Sequence, residues 1–208
     1  MRRFLEAGLY LVTSQSMSRG RTTLEIVRAA LDGGVKLIQL REKNLCAREI
    51  VRLGMKVRKL TEKAGALLII NDRLDVAMAV GADGIHLGQD DLPVAGAREI
   101  APDLIIGAST HSVEEAVEAQ KQGASYVNIG PIFPTRTKKW DKDFLGLDGL
   151  RRMSSAVSIP FTVMGGIKKH HIPELLSAGA RIIAVVTAIT AADDPERAAR
   201  ELMDLMAG

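Results

Sequence analysis

A single pattern constrains this chain more than any other: a short apolar run followed by a helical segment, repeated eight times in 208 residues. The apolar runs fall at 9–13, 36–40, 67–70, 84–87, 104–107, 126–130, 161–164 and 182–186. Between and after them, helical segments are expected at 23–31, 47–64, 74–80, 93–100, 113–122, 147–157, 172–178 and 195–206. Two strands joined through a helix run parallel, because a tight turn cannot connect them. The runs are apolar on both faces, which suits strands covered by helices outside and by side chains inside. Several helices carry end signals. Ser112 before Val113-Glu114-Glu115 forms a capping-box pattern with Gly123 at the far end, and Asp194 stands before Pro195. Eight such units in this length point to the α/β class and a closed (β/α)8 barrel, one domain over residues 1–208. The alternative is an open, doubly wound sheet. No linker or low-complexity tract marks a second domain.

In a barrel of this kind the chemistry sits in the loops that follow the strands, on one face. The polar residues of this chain gather there. The third run ends in Asn71-Asp72 and the fourth in Gly88-Gln89-Asp90-Asp91, so Asp72 and Asp91 should approach each other from neighbouring strand ends. Two unpaired carboxylates repel, and a hard cation such as Mg²⁺ would relieve them while leaving positions for phosphate oxygens. The competing reading makes Asp72 a helix cap and Asp90-Asp91 a plain polar turn. Gln39, Arg41 and Lys43 alternate and so share one side of an extended segment, as a phosphate clamp or as a solvated basic loop. The sixth loop, from Pro131 to Gly146, is long for its kind. It offers Thr135, Thr137 and Lys138 to a phosphate, and its charged portion is expected to act as a lid. Gly165-Gly166 after the seventh run and Thr187 after the eighth fit the backbone phosphate site common at that end of a barrel. His86, inside an apolar run, reads as a satisfied core residue. His111 could face the site, and His170 and His171 read as surface or cap residues.

Composition removes other classes. A net charge of +3 and 3% aromatic residues supply neither a strong basic face nor a stacking platform, so nucleic acid is not an expected partner. The mild positive balance suits anionic metabolites. Cys46 is the single cysteine, which precludes an internal disulfide and favours a reducing compartment; the expected location is cytoplasmic. The 4 histidines lack zinc-ligand spacing, and no run approaches the ~18 apolar residues of a membrane span. Taken together, two phosphate sites flanking a dicarboxylate, without a nucleophile–base pair, indicate transfer between small phosphorylated molecules with loss of diphosphate. A homo-oligomer is left open.

These motifs resemble the thiamine-phosphate synthase (thiamine phosphate pyrophosphorylase) family along nearly the whole chain. They are Leu9-Tyr10-Leu11-Val12-Thr13, Gln39-Leu40-Arg41-Glu42-Lys43, Asn71-Asp72-Arg73, 83–91, 130–135, Thr137-Lys138 and Gly165-Gly166-Ile167. The resemblance implies a (β/α)8 barrel transferase of thiamine biosynthesis. It would join 4-amino-2-methyl-5-hydroxymethylpyrimidine diphosphate to 4-methyl-5-(2-phosphoethyl)thiazole, giving thiamine phosphate and diphosphate. By the same resemblance, Gln39, Arg41, Lys43, Asn71, Ser109 and Lys138 hold the pyrimidine diphosphate. Of these, Lys138, Arg41, Lys43 and Ser109 are catalytic. Asp72 and Asp91 carry Mg²⁺, and Thr135, Thr137, Gly166, Val186 and Thr187 hold the thiazole phosphate. The implied mechanism is dissociative, with diphosphate leaving before the thiazole nitrogen attacks. Thr187 replaces a usual serine, keeping the hydroxyl, and His171 replaces a usual asparagine. Ser14 stands where an acidic residue is common. The related thiazole tautomerase usually lacks the Asn-Asp and Gly-Gln-x-Asp motifs that this chain keeps. A silent metabolite-sensing barrel would not need the paired carboxylates.

Overall fold

The computed structural model describes residues 1–137 and 140–207. Lys138, expected at the pyrimidine diphosphate, lies outside the described residues. The strands are β1 (Leu9–Val12), β2 (Leu37–Leu40), β3 (Leu67–Asn71), β4 (Gly84–Leu87), β5 (Ile105–Thr110), β6 (Tyr126–Ile129), β7 (Phe161–Val163) and β8 (Ile183–Val185). Each pairs in parallel with the next, and β8 pairs back with β1, so the sheet is a closed barrel and not an open one.

Strand residues of alternating parity enter two separate cores. Leu9 and Leu11 pack outward with the helices, whereas Tyr10 and Val12 point inward beside Leu37, Ile69 and Tyr126. Both faces are therefore buried, which is why the strands read as unbroken apolar runs. β5 extends three residues beyond the expected 104–107. Ser109 and Thr110 pair with Asn128 and Ile129 of β6, so Ser109 belongs to a strand and not to a loop. Backbone pairing continues there although the side chains turn polar.

The longer helices fall where period and caps placed them: α2 (Thr23–Asp32), α3 (Ala47–Lys63), α4 (Leu74–Val80), α5 (Val94–Ile100), α6 (Val113–Lys121), α7 (Gly146–Ser155), α8 (Ile172–Ser177) and α10 (Pro195–Ala207). Among the described residues, two short α-helices were not expected. α1 (Arg2–Leu5) buries Phe4 beneath the barrel, its ring 4.5 Å from that of Tyr126. α9 (Thr187–Thr190) starts directly after β8, so Thr187 opens a helix and does not end a strand.

The Ser112 capping box is half formed. Ser112 Oγ accepts from Glu115 N at 3.2 Å, but the Glu115 carboxylate reaches one residue further back and accepts from His111 N at 2.7 Å. That diversion ties the cap to a residue of the barrel mouth.

Candidate active site

A cavity of about 920 Å³ opens at the C-terminal ends of the strands. Every expected site residue within the described residues lines it: Gln39, Arg41, Lys43, Asn71, Asp72, Asp91, Ser109, Thr135, Thr137, Gly166, Val186 and Thr187. The volume lies at the upper end of the usual range for small-molecule sites, roughly 300–1,000 Å³.

Alternation after β2 works as the spacing requires. Arg41 and Lys43 line the cavity, while Glu42 between them accepts from Thr23 Oγ1 (2.7 Å) and Gln15 N (3.0 Å). Lys43 Nζ donates to Asp72 Oδ2 at 2.9 Å. Asp72 has φ +63°, a left-handed conformation that aspartate tolerates better than most residues, and its N–H continues the ladder to His86 O at 2.8 Å. α4 takes no side-chain cap bond, its cap position being Arg73, so the helix-cap reading of Asp72 does not hold.

Asp91 Oδ2 accepts from Gly88 N at 2.6 Å. Burial pushes the Asp91 carboxyl above its ordinary range, and the neighbouring Asp72 pushes it further. Burial also acts to raise Asp72, but Lys43, the hydrogen bond with Asp91 and the Arg41 charge together hold Asp72 below the ordinary range. Two carboxyls that split their titration in this way meet at adjacent strand ends, where a cation would relieve them. They fit a hard divalent ion that completes its shell with phosphate oxygens and water. Among the described residues no group of three or more His, Cys, Asp or Glu side chains gathers to hold a metal, so an all-protein cage is absent.

On the other side of the mouth, the Gly-Gly pair lets two loops touch. Gly165 and Gly166 have φ +104° and +66°, and a Cβ on Gly166 would lie 2.3 Å from Pro134 O. Phe133 N donates to Gly165 O at 3.0 Å, which holds the loop after β6 against the end of β7. Thr135 Oγ1 accepts from Thr137 N at 3.2 Å, orienting both hydroxyls there. Lys168 Nζ donates to Thr187 Oγ1 at 3.4 Å, adding a cation that sequence reading had not placed.

The histidines separate by role. His86 is buried and neutral, its pKa pushed down to about 4 by burial against the opposing field of Asp72. It sits 2.9 Å from both Tyr126 Oη and Ser109 Oγ, the satisfied residue that its setting predicted. His111 does line the cavity. Its Nδ1 lies 2.6 Å from Gly130 O, and a carbonyl only accepts, so Nδ1 carries the proton. His171 takes a cap role, accepting from Lys168 N at 3.1 Å and stacking on Phe133.

Tyr10 and Tyr126 escaped the sequence reading. A signal existed: they are the chain's 2 tyrosines, and both fall in apolar runs where a phenol needs a buried partner.

The thiamine monophosphate synthase family model matches residues 9–189. A thiamine-phosphate synthase of Chloroflexus aurantiacus is 46% identical over 198 residues, covering 95% of this chain and 92% of that protein. The one from Pyrococcus horikoshii is 47% identical over 194 residues, covering 93% and 92%. A solved thiamine phosphate pyrophosphorylase from Pyrococcus furiosus superposes with a TM-score of 0.91 at 42% identity, covering 100% of this chain and 98% of that one.

Proposed function

The chain belongs to the thiamine monophosphate synthase family, and from that premise we propose that it joins 4-amino-2-methyl-5-hydroxymethylpyrimidine diphosphate to 4-methyl-5-(2-phosphoethyl)thiazole, releasing diphosphate. One observation carries the reading. A single cavity sets cations and a dicarboxylate at the ends of β2 to β4 opposite hydroxyls and open backbone at the ends of β6 to β8.

Arg41, Lys43 and Lys138 bind the diphosphate, and Asn71, Gln39 and Ser109 orient the pyrimidine. Charge stabilisation on a departing diphosphate, held ready before the reaction, lowers the barrier more than a general base would. Asp72 and Asp91 would hold Mg²⁺, which supplies further neutralisation of that leaving group. Lys43 pairs with Asp72 and so sets a cation beside the same leaving group. Thr135, Thr137, Gly166, Val186 and Thr187 seat the thiazole phosphate so that the ring nitrogen faces the carbon losing diphosphate. The bond to diphosphate breaks first, giving a pyrimidine-stabilised cation, and the nitrogen lone pair then forms the new bond. Pro131, Pro134, Trp140 and Phe144 of the loop after β6 line the cavity, where they would shield the pair from water. We read the protein as a one-domain cytoplasmic enzyme of small phosphorylated substrates, in keeping with its single cysteine.

The test is diphosphate release by the purified protein with both substrates, with and without Mg²⁺. Metal-dependent release matched by thiamine phosphate is the expected result. A folded protein that binds both substrates and releases nothing would overturn the reading and favour thiazole isomerisation at His111.

A further inference from the structure

An unbroken chain of side-chain hydrogen bonds runs through the barrel interior between two cavity residues, Gln39 and Ser109. Gln39 Nε2 donates to Tyr10 Oη at 2.7 Å, and the Tyr10 and Tyr126 hydroxyls are 3.1 Å apart. Tyr126 Oη is 2.9 Å from His86 Nδ1, and His86 Nε2 is 2.9 Å from Ser109 Oγ. Its members stand on β2, β1, β6, β4 and β5, and all but Ser109 are buried. Tyr126 is held from two sides. The Phe4 ring packs against it, and Gly107 leaves the space where a Cβ would come within 2.1 Å of its ring. The proposed chemistry uses none of Tyr10, Tyr126 or His86.

Proton counting makes the chain directional. Each hydroxyl has one proton to give, and so does the neutral imidazole. Because Gln39 donates to Tyr10, Tyr10 donates onward to Tyr126, the remaining partner of its hydroxyl. Tyr126 then donates to His86 Nδ1, and His86 Nε2–H donates to Ser109 Oγ. The Ser109 hydroxyl proton is left for the cavity, and so is the Gln39 carbonyl oxygen. Turning the Gln39 amide over reverses every bond: Gln39 then offers an N–H to the cavity and Ser109 spends its proton inward. Any mixed arrangement sets two donors or two bare acceptors against each other at one link and so forfeits a buried hydrogen bond, which is unfavourable.

We propose that Tyr10, Tyr126 and His86 form a positioning relay that locks the hydrogen-bonding senses of Gln39 and Ser109 together and thereby selects a 4-amino over a 4-oxo pyrimidine ring. The proposal rests on the synthase reading. With Gln39 Nε2 turned to Tyr10, Gln39 accepts from an exocyclic amine while Ser109 donates to a ring nitrogen. A 4-oxo ring sets its oxygen against the Gln39 carbonyl. Gln39 can turn over to suit it only by reversing the relay, which withdraws the donor at Ser109, or by leaving the Tyr10 and Tyr126 oxygens facing each other with no proton between them. Discrimination thus acts at both ends at once, although the two residues are not in contact.

The experiment compares steady-state turnover of the 4-amino pyrimidine diphosphate and its 4-oxo counterpart by the whole protein and by Tyr126→Phe. The wild type should prefer the amino ring by at least on the order of a hundredfold in kcat/KM, as sites built on directed hydrogen bonds do. In Tyr126→Phe that preference falls by about tenfold or more, the size of one lost directed bond, while KM for the thiazole phosphate holds. Adding Tyr126→Phe to Ser109→Ala costs little further preference, because both changes cut the same path. Should Tyr126→Phe fail to fold by circular dichroism, Tyr10→Phe cuts the chain one link nearer Gln39 and serves the same comparison. An unchanged preference in a folded variant overturns the relay, as does full additivity with Ser109→Ala. A wild type that turns over neither ring overturns the synthase reading itself, and is seen before any variant is compared.

Discussion

Gly166→Ala is the substitution whose effect can be worked most directly from the structure. Gly166 has φ +66°, where a Cβ meets the backbone and costs roughly 1–2 kcal/mol. Here the Cβ would also come 2.3 Å from Pro134 O and 2.6 Å from Phe133 O, which are backbone atoms held by the bond from Phe133 N to Gly165 O. No flexible side chain can yield, so an overpacking cost of about 1–3 kcal/mol adds to the strain. The sum is ~2–5 kcal/mol, or about 4–20 °C in Tm for a chain of this size. Gly81 supplies the control: its φ is +63°, and nothing lies within 4 Å of its Cβ position. Gly81→Ala should therefore lose the strain alone, ~1–2 kcal/mol or about 2–8 °C. Urea denaturation of both variants separates the two costs, and steady-state kinetics locate the second. Displacing the loop that carries Thr135 and Thr137 should raise KM for the thiazole phosphate, by about tenfold for each ~1.4 kcal/mol of binding lost, and leave KM for the pyrimidine nearly unchanged. Equal losses of stability in the two variants would refute the close approach. A Gly166→Ala variant impaired only toward the pyrimidine would refute the placement of the thiazole phosphate.

Three further outcomes follow from the site. Lys138→Ala and Asp72→Ala should each lower kcat by at least on the order of a hundredfold, as loss of a prepared charge partner does; near-wild-type turnover in both would sink the diphosphate assignment. Thr187→Ala should raise KM for the thiazole phosphate more than for the pyrimidine, since its hydroxyl and Lys168 meet at that end of the cavity, and equal effects would argue against two separate subsites. Asp91→Asn should raise Tm of the metal-free protein at pH 7. The Asp91 pKa is raised by burial and by Asp72, so its ionisation opposes folding: stability is fullest below the ordinary carboxyl range and is lost as pH rises through the raised value. The gain from Asp91→Asn should therefore vanish on acidification, and Mg²⁺ with inorganic diphosphate should stabilise the wild type but not the variant.

The barrel and its mouth were legible because both depend on period. Alternating apolar runs and helical segments specify parallel strands, and parallel strands deliver their ends to one face. Asp72, Asp91, Arg41 and Thr187 could therefore be gathered without knowing a distance. Elements that rest on a single anchor were not legible. α1 has one buried residue, Phe4, and four residues carry no period. Lys168 follows Gly165-Gly166-Ile167 as an unremarked surface lysine until the start of α9 brings Thr187 to it. The polar end of β5 lies beyond the apolar run at 104–107 because Ser109 and Thr110 break that run, although they do so by facing a cavity and a buried neighbour, Asn128 O.

The interior relay was hidden for the opposite reason. In strands buried on both faces, polarity no longer marks which residues point inward, so the direction that Tyr10, Gln39 and His86 share does not show within apolar runs. Their parity becomes visible only once register is known: Val12 stands opposite Gln39, and Asn71 opposite His86. A barrel interior can be filled by Val, Ile and Leu, which need no partners. Here Gln39, Tyr10, Tyr126 and His86 share it with Val12, Leu37 and Ile69, and removing either tyrosine hydroxyl would orphan two neighbours at once. An apolar filling would carry no such liability. The chain of bonds ends at the cavity on both sides, so its polarity serves the cavity more than the fold. A double replacement, Tyr10→Phe with Tyr126→Phe, leaves only Gln39 and His86 without partners and should for that reason cost less than the two single losses added together, while ring selection is lost in all three. Chemical denaturation beside the amino-to-oxo turnover ratio would read both, and a double variant less stable than the sum of its parts would show that the chain is there to hold the barrel together.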